Sequence, residues 1–224
     1  MNAGVLEVHI DDFNGDNFVV PDLWVIRGAG IHSLSSIGLP ICLTGTRPGD
    51  APQWGKNCKK AFTHAYQHST MIQGQGTGYA HRDQFMDLDP TYKDRFGRPL
   101  LRITYDYNEN DRRSGRFIRD KCVQLAREMG ARDVKGVALS DQSYSSYTPF
   151  DSSHVQGGVV MGDDPKTSVQ NRYQQCWDVP NLFVVGASSF PNNAGYNPTV
   201  AVGATTLWTA NAIINKYLKN TKLL

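Results

Sequence analysis

Toward its C-terminal end the chain carries a short, continuous apolar run, Leu182-Phe-Val-Val185, that stops at Gly186-Ala187-Ser188. A run of this kind fits a strand buried on both faces, as in a parallel sheet covered by helices. Downstream, Asn197 offers a capping oxygen and Pro198 a pre-set φ at the first helical position. Val200, Ala204, Leu207, Asn211, Ile214 and Leu218 then recur at steps of three and four, which predicts a helix with these residues on its inward stripe. Lys216 and Lys219 suit the negative C-terminal end of that helix.

The rest of the chain is read in the same way. Residues 4–10 and 17–27 are rich in β-branched residues and read as strands, with a break at Pro21. Residues 28–50 are rich in Gly, Ser, Pro and Thr and read as a long loop. Asp50-Ala-Pro52 opens a helix whose inward face carries Trp54, Cys58, Phe62, Ala65 and Ser69. Leu101, Ile103, Tyr105 and Tyr107 alternate with Arg102, Thr104 and Asp106, the pattern of a half-buried strand. The preceding Gly97 and Pro99 mark the turn that feeds it. A further helix follows, with Asp111 as cap, Ile118, Cys122, Leu125 and Met129 as stripe, and Gly130 as stop. Residues 141–163 form a polar, Gly- and Ser-rich segment that contains His154.

Several function classes are disfavoured at once. The chain has 224 residues, enough for one large domain or two small ones. Its net charge of +2 gives no long-range field to gather nucleic acid or an anionic membrane. The most apolar stretch, Val200 to Leu218, is interrupted by Thr205, Thr206, Thr209, Asn211, Asn215 and Lys216, so no bilayer span is expected. Met1 to Asp12 alternates apolar and polar groups and does not read as a signal peptide. Cys42, Cys58, Cys122 and Cys176 are scattered, with no C-x-x-C pair, and are expected as free, mostly buried thiols rather than zinc ligands. His64 and His68 stand four apart on a predicted helix but have no acidic third ligand nearby, so no metal site is expected. Gly28-Ala-Gly30 and Gly74-Gln-Gly76-Thr-Gly78 lack the spacing of a dinucleotide fingerprint and are expected as flexible loop. No G-x-S-x-G elbow supports a hydrolase built on Ser188 or Ser189 with His154.

His154 stands in His154-Val-Gln-Gly157 running on to Met161-Gly162. Asn181 to Ser188 and then Asn197-Pro198-Thr199 follow in order. Together these resemble the C-terminal signature of the glucose–methanol–choline (GMC) oxidoreductases. Upstream, Asp87 to Thr104 and Ile10 to Asp16 are similar to one branch, that of the flavoprotein subunits of gluconate 2-dehydrogenase, with fructose and sorbitol dehydrogenases as relatives. The resemblance covers most of the chain and is most specific in its last third. Members of this family begin with a βαβ unit carrying G-x-G-x-x-G for the FAD pyrophosphate, and this sequence contains none.

The resemblance implies the C-terminal portion of such an enzyme. Its expected fold class is α+β: an antiparallel substrate-domain sheet with helices, plus a C-terminal strand and helix belonging to a Rossmann-like FAD domain whose N-terminal part lies outside the chain. Residues 1–155 would form the substrate-binding domain and residues 156–224 the C-terminal segment of the FAD-binding domain. The reaction implied is oxidation of a C–OH group of a sugar, sugar acid or polyol, with hydride transfer to N5 of FAD. A quinone or cytochrome would accept the electrons. His154 holds the family's base position, and histidine suits it because its pKa lies near operating pH. Asn197 holds the second position, where an amide orients the substrate oxygen but cannot take its proton. Gly186, Ala187, Asn197, Pro198 and Thr199 would contact the cofactor, Thr199 rather than Pro198 donating an N–H. Implied partners are the N-terminal FAD domain, a small subunit and a cytochrome c subunit, in a periplasmic or membrane-associated setting. Two alternatives stay open: a pyranose-type oxidase that reduces oxygen, and a non-catalytic fragment or half of a split enzyme.

Overall fold

The computed structural model describes residues 9–15, 28–34, 49–141, 155–193 and 195–223. The chain is a mixed α/β protein with antiparallel sheets and few helices. Its residues group into two compact units, one of Met1–Gly76 with Glu109–Gln142 and the other of Thr77–Asn108 with Ser143–Leu224.

The first unit holds a three-stranded antiparallel sheet of β1 (His9–Ile10), β2 (Ala29–Leu34) and β3 (Met71–Gly76), in that order. The glycine-rich stretches expected as loop are therefore partly strand. Ala29 pairs with Gly76, Ile31 with Gly74 and Ser33 with Ile72, so these six residues share one face. That face receives a helix, α2 (Glu109–Glu128). A Cβ added to Gly74 would stand 2.7 Å from Ile118 Cγ1, so only glycine lets the helix approach this closely. Ala29, Ile31 and Ile118 form the buried core, with Ile10, Phe13, Ile72, Phe117 and Cys122 packed on it. Helix α2 starts two residues before the expected cap Asp111, and Gly130 (φ +84°) follows its end as predicted. Met129, expected on the inward stripe, is exposed. Helix α1 (Gly55–His68) buries Cys58 and Ala65, whereas Trp54 and Ser69, expected on its inner face, stand in solvent. Residues 4–8 and 17–27, expected as strand, lie outside the described residues.

The second unit begins with a hairpin of β4 (Phe85–Lys93) and β5 (Pro99–Thr104). Its turn forms as the sequence predicts. Asp94 Oδ1 accepts from the N–H groups of Phe96 at 2.8 Å and Arg98 at 2.9 Å, and Gly97 takes φ +79°. Met86 pairs with Ile103 and Leu88 with Leu101, giving one wholly apolar face, while Asp87 meets Arg102 on the other. The alternation predicted a half-buried strand, but all of β5 is exposed, Leu101 at 62% and Ile103 at 63%. No element among the described residues covers the apolar face.

The last helix, α3 (Thr199–Ala212), runs on into a wide π turn at Ile213–Tyr217, closed by Leu218 N–H to the Ile213 carbonyl at 2.9 Å. It is present as predicted, one residue later than expected, with Pro198 at the cap in a helical conformation. Its orientation corrects the prediction. The residues it buries are Thr209, Ala212 and Tyr217, whereas Val200 (86% exposed), Leu207 (74%), Ile214 and Leu218 face solvent. The apolar stripe is real, but nothing among the described residues packs on it. None of the described helices is long and apolar enough to cross a membrane.

Candidate functional site

The site is built from residues 155–223 and residues 77–84 of the second unit. The segment after His154 runs alongside the Gly186–Ser189 turn. Gly157 N–H donates to the Ala187 carbonyl at 3.4 Å, Val159 to Ser188 at 2.8 Å and Met161 to Ser189 at 2.9 Å. Gly157 holds φ +84°, and a Cβ there would come to 3.0 Å from Ala80 Cβ, so glycine suits both the dihedral and the close approach. His154 itself lies outside the described residues.

The predicted buried strand Leu182–Val185 is reduced to one antiparallel bridge, Gln175 to Phe183, flanked by Cys176 N–H to Leu182 O (2.9 Å) and Val184 N–H to Gln174 O (3.0 Å). Leu182 and Val185 are nearly half exposed. Physically, this run has a partner along one edge and no helix over its outer face among the described residues, so the two-sided burial does not arise.

Gly186 closes the run at φ +127°, ψ −177°, a conformation essentially confined to glycine. No described residue comes within 4 Å of where a Cβ would be. A 3-10 turn, Ala187–Ser189, follows at once. The N–H groups of Ala187 and Ser188 meet no acceptor among the described residues, as expected for the first residues of a helical turn. The chain then buries Phe190 and pairs Tyr79 with Asn192. Gly195 (φ +72°) turns it toward α3, with its N–H 3.2 Å from Asn193 Oδ1. Asn197 is exposed at the approach to the helix, and Pro198 O accepts from Val202 N–H at 2.9 Å. The N–H groups of Thr199, Val200 and Ala201 therefore precede the first intrahelical bond and carry the positive end of the helix dipole.

Sequence reasoning missed the polar groups that hold these segments together. Gln174 is 1% exposed and the only described non-glycine residue with positive φ, at 58°. Its Nε2 donates to Ser189 Oγ and its Oε1 accepts from Thr209 Oγ1, both at 2.6 Å. Ser189 Oγ donates to the Gly186 carbonyl at 2.7 Å. Gln170, fully buried, donates through Nε2 to Val159 O at 2.9 Å. Asn171 Nδ2 donates to Gln175 Oε1 at 2.9 Å and to Tyr217 OH at 3.4 Å. The available signal was Thr209, which stands at helical spacing with Val202, Thr205 and Ala212, on the side opposite the apolar stripe.

Other features bring in none of the predicted site residues. The open recess lined by Met161, Asp163, Arg172, Thr205 and Trp208 contains none of the predicted site residues. No group of His, Cys, Asp and Glu among the described residues could hold a metal ion. Cys58, Cys122 and Cys176 are free thiols. His64 and His68 stack at 4.1 Å, and His68 Nδ1 lies 2.8 Å from the His64 carbonyl.

A family model described as GMC oxidoreductase matches residues 81–206. The chain is 40% identical, over 98% of its length, to the gluconate 2-dehydrogenase flavoprotein of Pantoea cypripedii, and covers 36% of that protein. It is 31% identical, over 80% of its length, to 2-methyl-1,2-propanediol dehydrogenase of Mycolicibacterium austroafricanum, covering 31% of it. Over 57% of the chain it is 30% identical to the fructose dehydrogenase large subunit of Gluconobacter japonicus, covering 22% of it. The chain thus spans about a third of the length of the first two relatives.

Proposed function

Because the chain belongs to the GMC oxidoreductase family, we propose that it supplies the substrate-binding and catalytic portion of an FAD-dependent dehydrogenase acting on a C–OH group of a sugar, sugar acid or polyol. Residues 1–155 would be the substrate-binding portion and residues 156–224 the C-terminal segment of the FAD-binding domain. The names of the relatives support the substrate class: gluconate, fructose and a diol all present an alcohol carbon. A gluconate-type substrate is the favoured member, since that relative matches nearly the whole chain.

The observation that carries the reading is the Gly186–Ala187 turn. Its glycine-only dihedral, and a face and N–H groups that meet no partner among the described residues, fit a backbone that lies against a cofactor. The exposed start of α3 fits the same group, with Thr199 as a donor beside negative charge. FAD, when bound, would supply the hydride acceptor. His154 would take the proton of the substrate hydroxyl as the hydride departs. Asn197 would hydrogen-bond the substrate oxygen and hold it in place. Electrons would leave to a quinone or cytochrome. A small subunit and a cytochrome c subunit are the proposed companions, in a periplasmic or membrane-associated setting.

The test uses the chain joined with the FAD-binding portion that completes the family fold. His154→Ala should cut turnover by about 10²–10⁴-fold, the span of a lost general base. A near-normal steady-state rate in that variant would remove His154 from the role. Asn197→Asp should slow flavin bleaching in stopped flow, because a new carboxylate opposes charge on the reduced ring. Peroxide released on turnover would assign oxygen, rather than a quinone or cytochrome, as acceptor.

A second reading has its own observation. The outward stripe of Val200, Leu207, Ile214 and Leu218 on α3 favours a chain that acts only as half of a split enzyme, joined to an FAD-binding polypeptide. Colour separates the two. Purified chain that takes up FAD and bleaches with gluconate, fructose or sorbitol acts alone. Colourless chain that gains colour only with the second polypeptide is half of a pair.

A further inference from the structure

We propose that Gln174 is the positioning residue of the cofactor turn, which rests on the reading of Gly186–Ala187 given above. Three hydrogen bonds run in one direction: Thr209 Oγ1 to Gln174 Oε1, Gln174 Nε2 to Ser189 Oγ, and Ser189 Oγ to the Gly186 carbonyl, at 2.6, 2.6 and 2.7 Å. Thr209 opens the series as a donor, the Gly186 carbonyl closes it as an acceptor, and Gln174 and Ser189 between them each accept one bond and donate one. The series starts on α3 and finishes on the peptide that joins Gly186 to Ala187. That peptide is trans, so fixing its carbonyl toward Ser189 turns the Ala187 N–H the opposite way. This is the N–H that meets no acceptor among the described residues. Gln174 thereby sets the direction of the donor offered to the cofactor and ties it to the helix whose first turn offers the others.

The backbone of Gln174 supports a dedicated role. It holds φ +58°, which is unfavourable for a side chain with a Cβ and is met mostly in Gly and Asn. Its N–H donates to the Asn171 carbonyl at 2.9 Å and its carbonyl accepts from Val184 N–H at 3.0 Å. A glycine would relieve the strain and keep both backbone bonds. A glutamine persists there with its side chain buried and bonded at both ends.

Two variants of the full chain separate this from a merely structural role. Gln174→Met keeps the reach and loses both side-chain bonds. Gln174→Gly relieves the dihedral and loses the side chain. Amide hydrogen exchange at Ser189 and Phe190 should quicken by about tenfold or more in both, with the hairpin amides of Leu88 and Ile103 unchanged. The Ala187 ¹⁵N resonance should shift in both. Exchange at Ser189 within about twofold of wild type in either variant would overturn the proposal. So would a uniform rise across the hairpin and the turn, which marks global destabilisation. FAD titrated into wild type and Gln174→Met, followed by flavin fluorescence, should bind at least about tenfold more weakly to the variant if it binds to the wild type. Wild-type chain that takes up FAD neither alone nor joined with the FAD-binding portion counts against the cofactor reading, while the exchange pattern alone still upholds or overturns the positioning role.

Discussion

At the scale of single residues, glycines do two different jobs that look alike in the sequence. Gly74 is there for space: its missing Cβ is the room that Ile118 fills. Gly186 is there for conformation: its dihedral requires it, and nothing among the described residues crowds it. The two jobs predict different responses. Gly74→Ala should destabilise the chain by about 1–3 kcal/mol in urea unfolding, the range for overpacking, and should cost less in an Ile118→Ala background, where the Cγ1 and Cγ2 atoms it would meet are gone. An unchanged midpoint would show that α2 is not seated on the sheet at this point. Neither job was legible from composition. A glycine read without its strand partner looks like loop, and only the period-two set Ile72, Gly74, Gly76 hinted that a face was being kept flat.

At the scale of elements, β5 and the three α-helices were legible, whereas β2 and β3 read as loop, Leu182–Val185 read as a full strand, and burial was not legible. The alternation from Leu101 to Tyr107 found β5, which ends at Thr104, and the three-four spacing after Pro198 found α3. In both cases the stripe marked as inward faces solvent. Periodicity reports that one side of an element is apolar, whereas burial depends on what another part of the molecule places against it. The β4–β5 hairpin shows how such an element is held without cover. Arg102 clasps the Asp87 carboxylate with two N–H groups, at 2.8 Å from Nε to Oδ1 and through Nη2 to Oδ2. That hydrogen bonding holds the Asp87 carboxyl below the usual carboxylate range. A depressed acid contributes stability above its unfolded pKa and loses it as pH falls through the folded value. The pair should therefore persist well into the acid range. A pH titration following the Arg102 Nε–H resonance should show its release only below the pH at which a free aspartate protonates, about 3.9. Release at or above that pH would mean that the pair is not formed in solution.

At the scale of the molecule, the motif that proposes the site can be read along the chain, whereas the network around it cannot. His154, Gly186 and Asn197 stood out because motif residues follow one another along the chain. Gln174, Ser189 and Thr209 did not, because a buried polar network is assembled from separate segments and leaves no local spacing to read. The outward side of α3 belongs to this scale as well. Leu207→Glu should leave the thermal unfolding of the chain within about 0.5 kcal/mol, since the side chain already stands in solvent. The same variant should weaken association with an FAD-binding polypeptide in a pull-down of purified components. Marked destabilisation of the chain alone would show that Leu207 is buried within it. The uncovered stripe has a further meaning, for lifetime rather than architecture. An apolar flank of this kind is what chaperones hold and proteases clear. The abundance of the chain in a cell would then track the supply of whatever covers α3, with unpaired copies removed first.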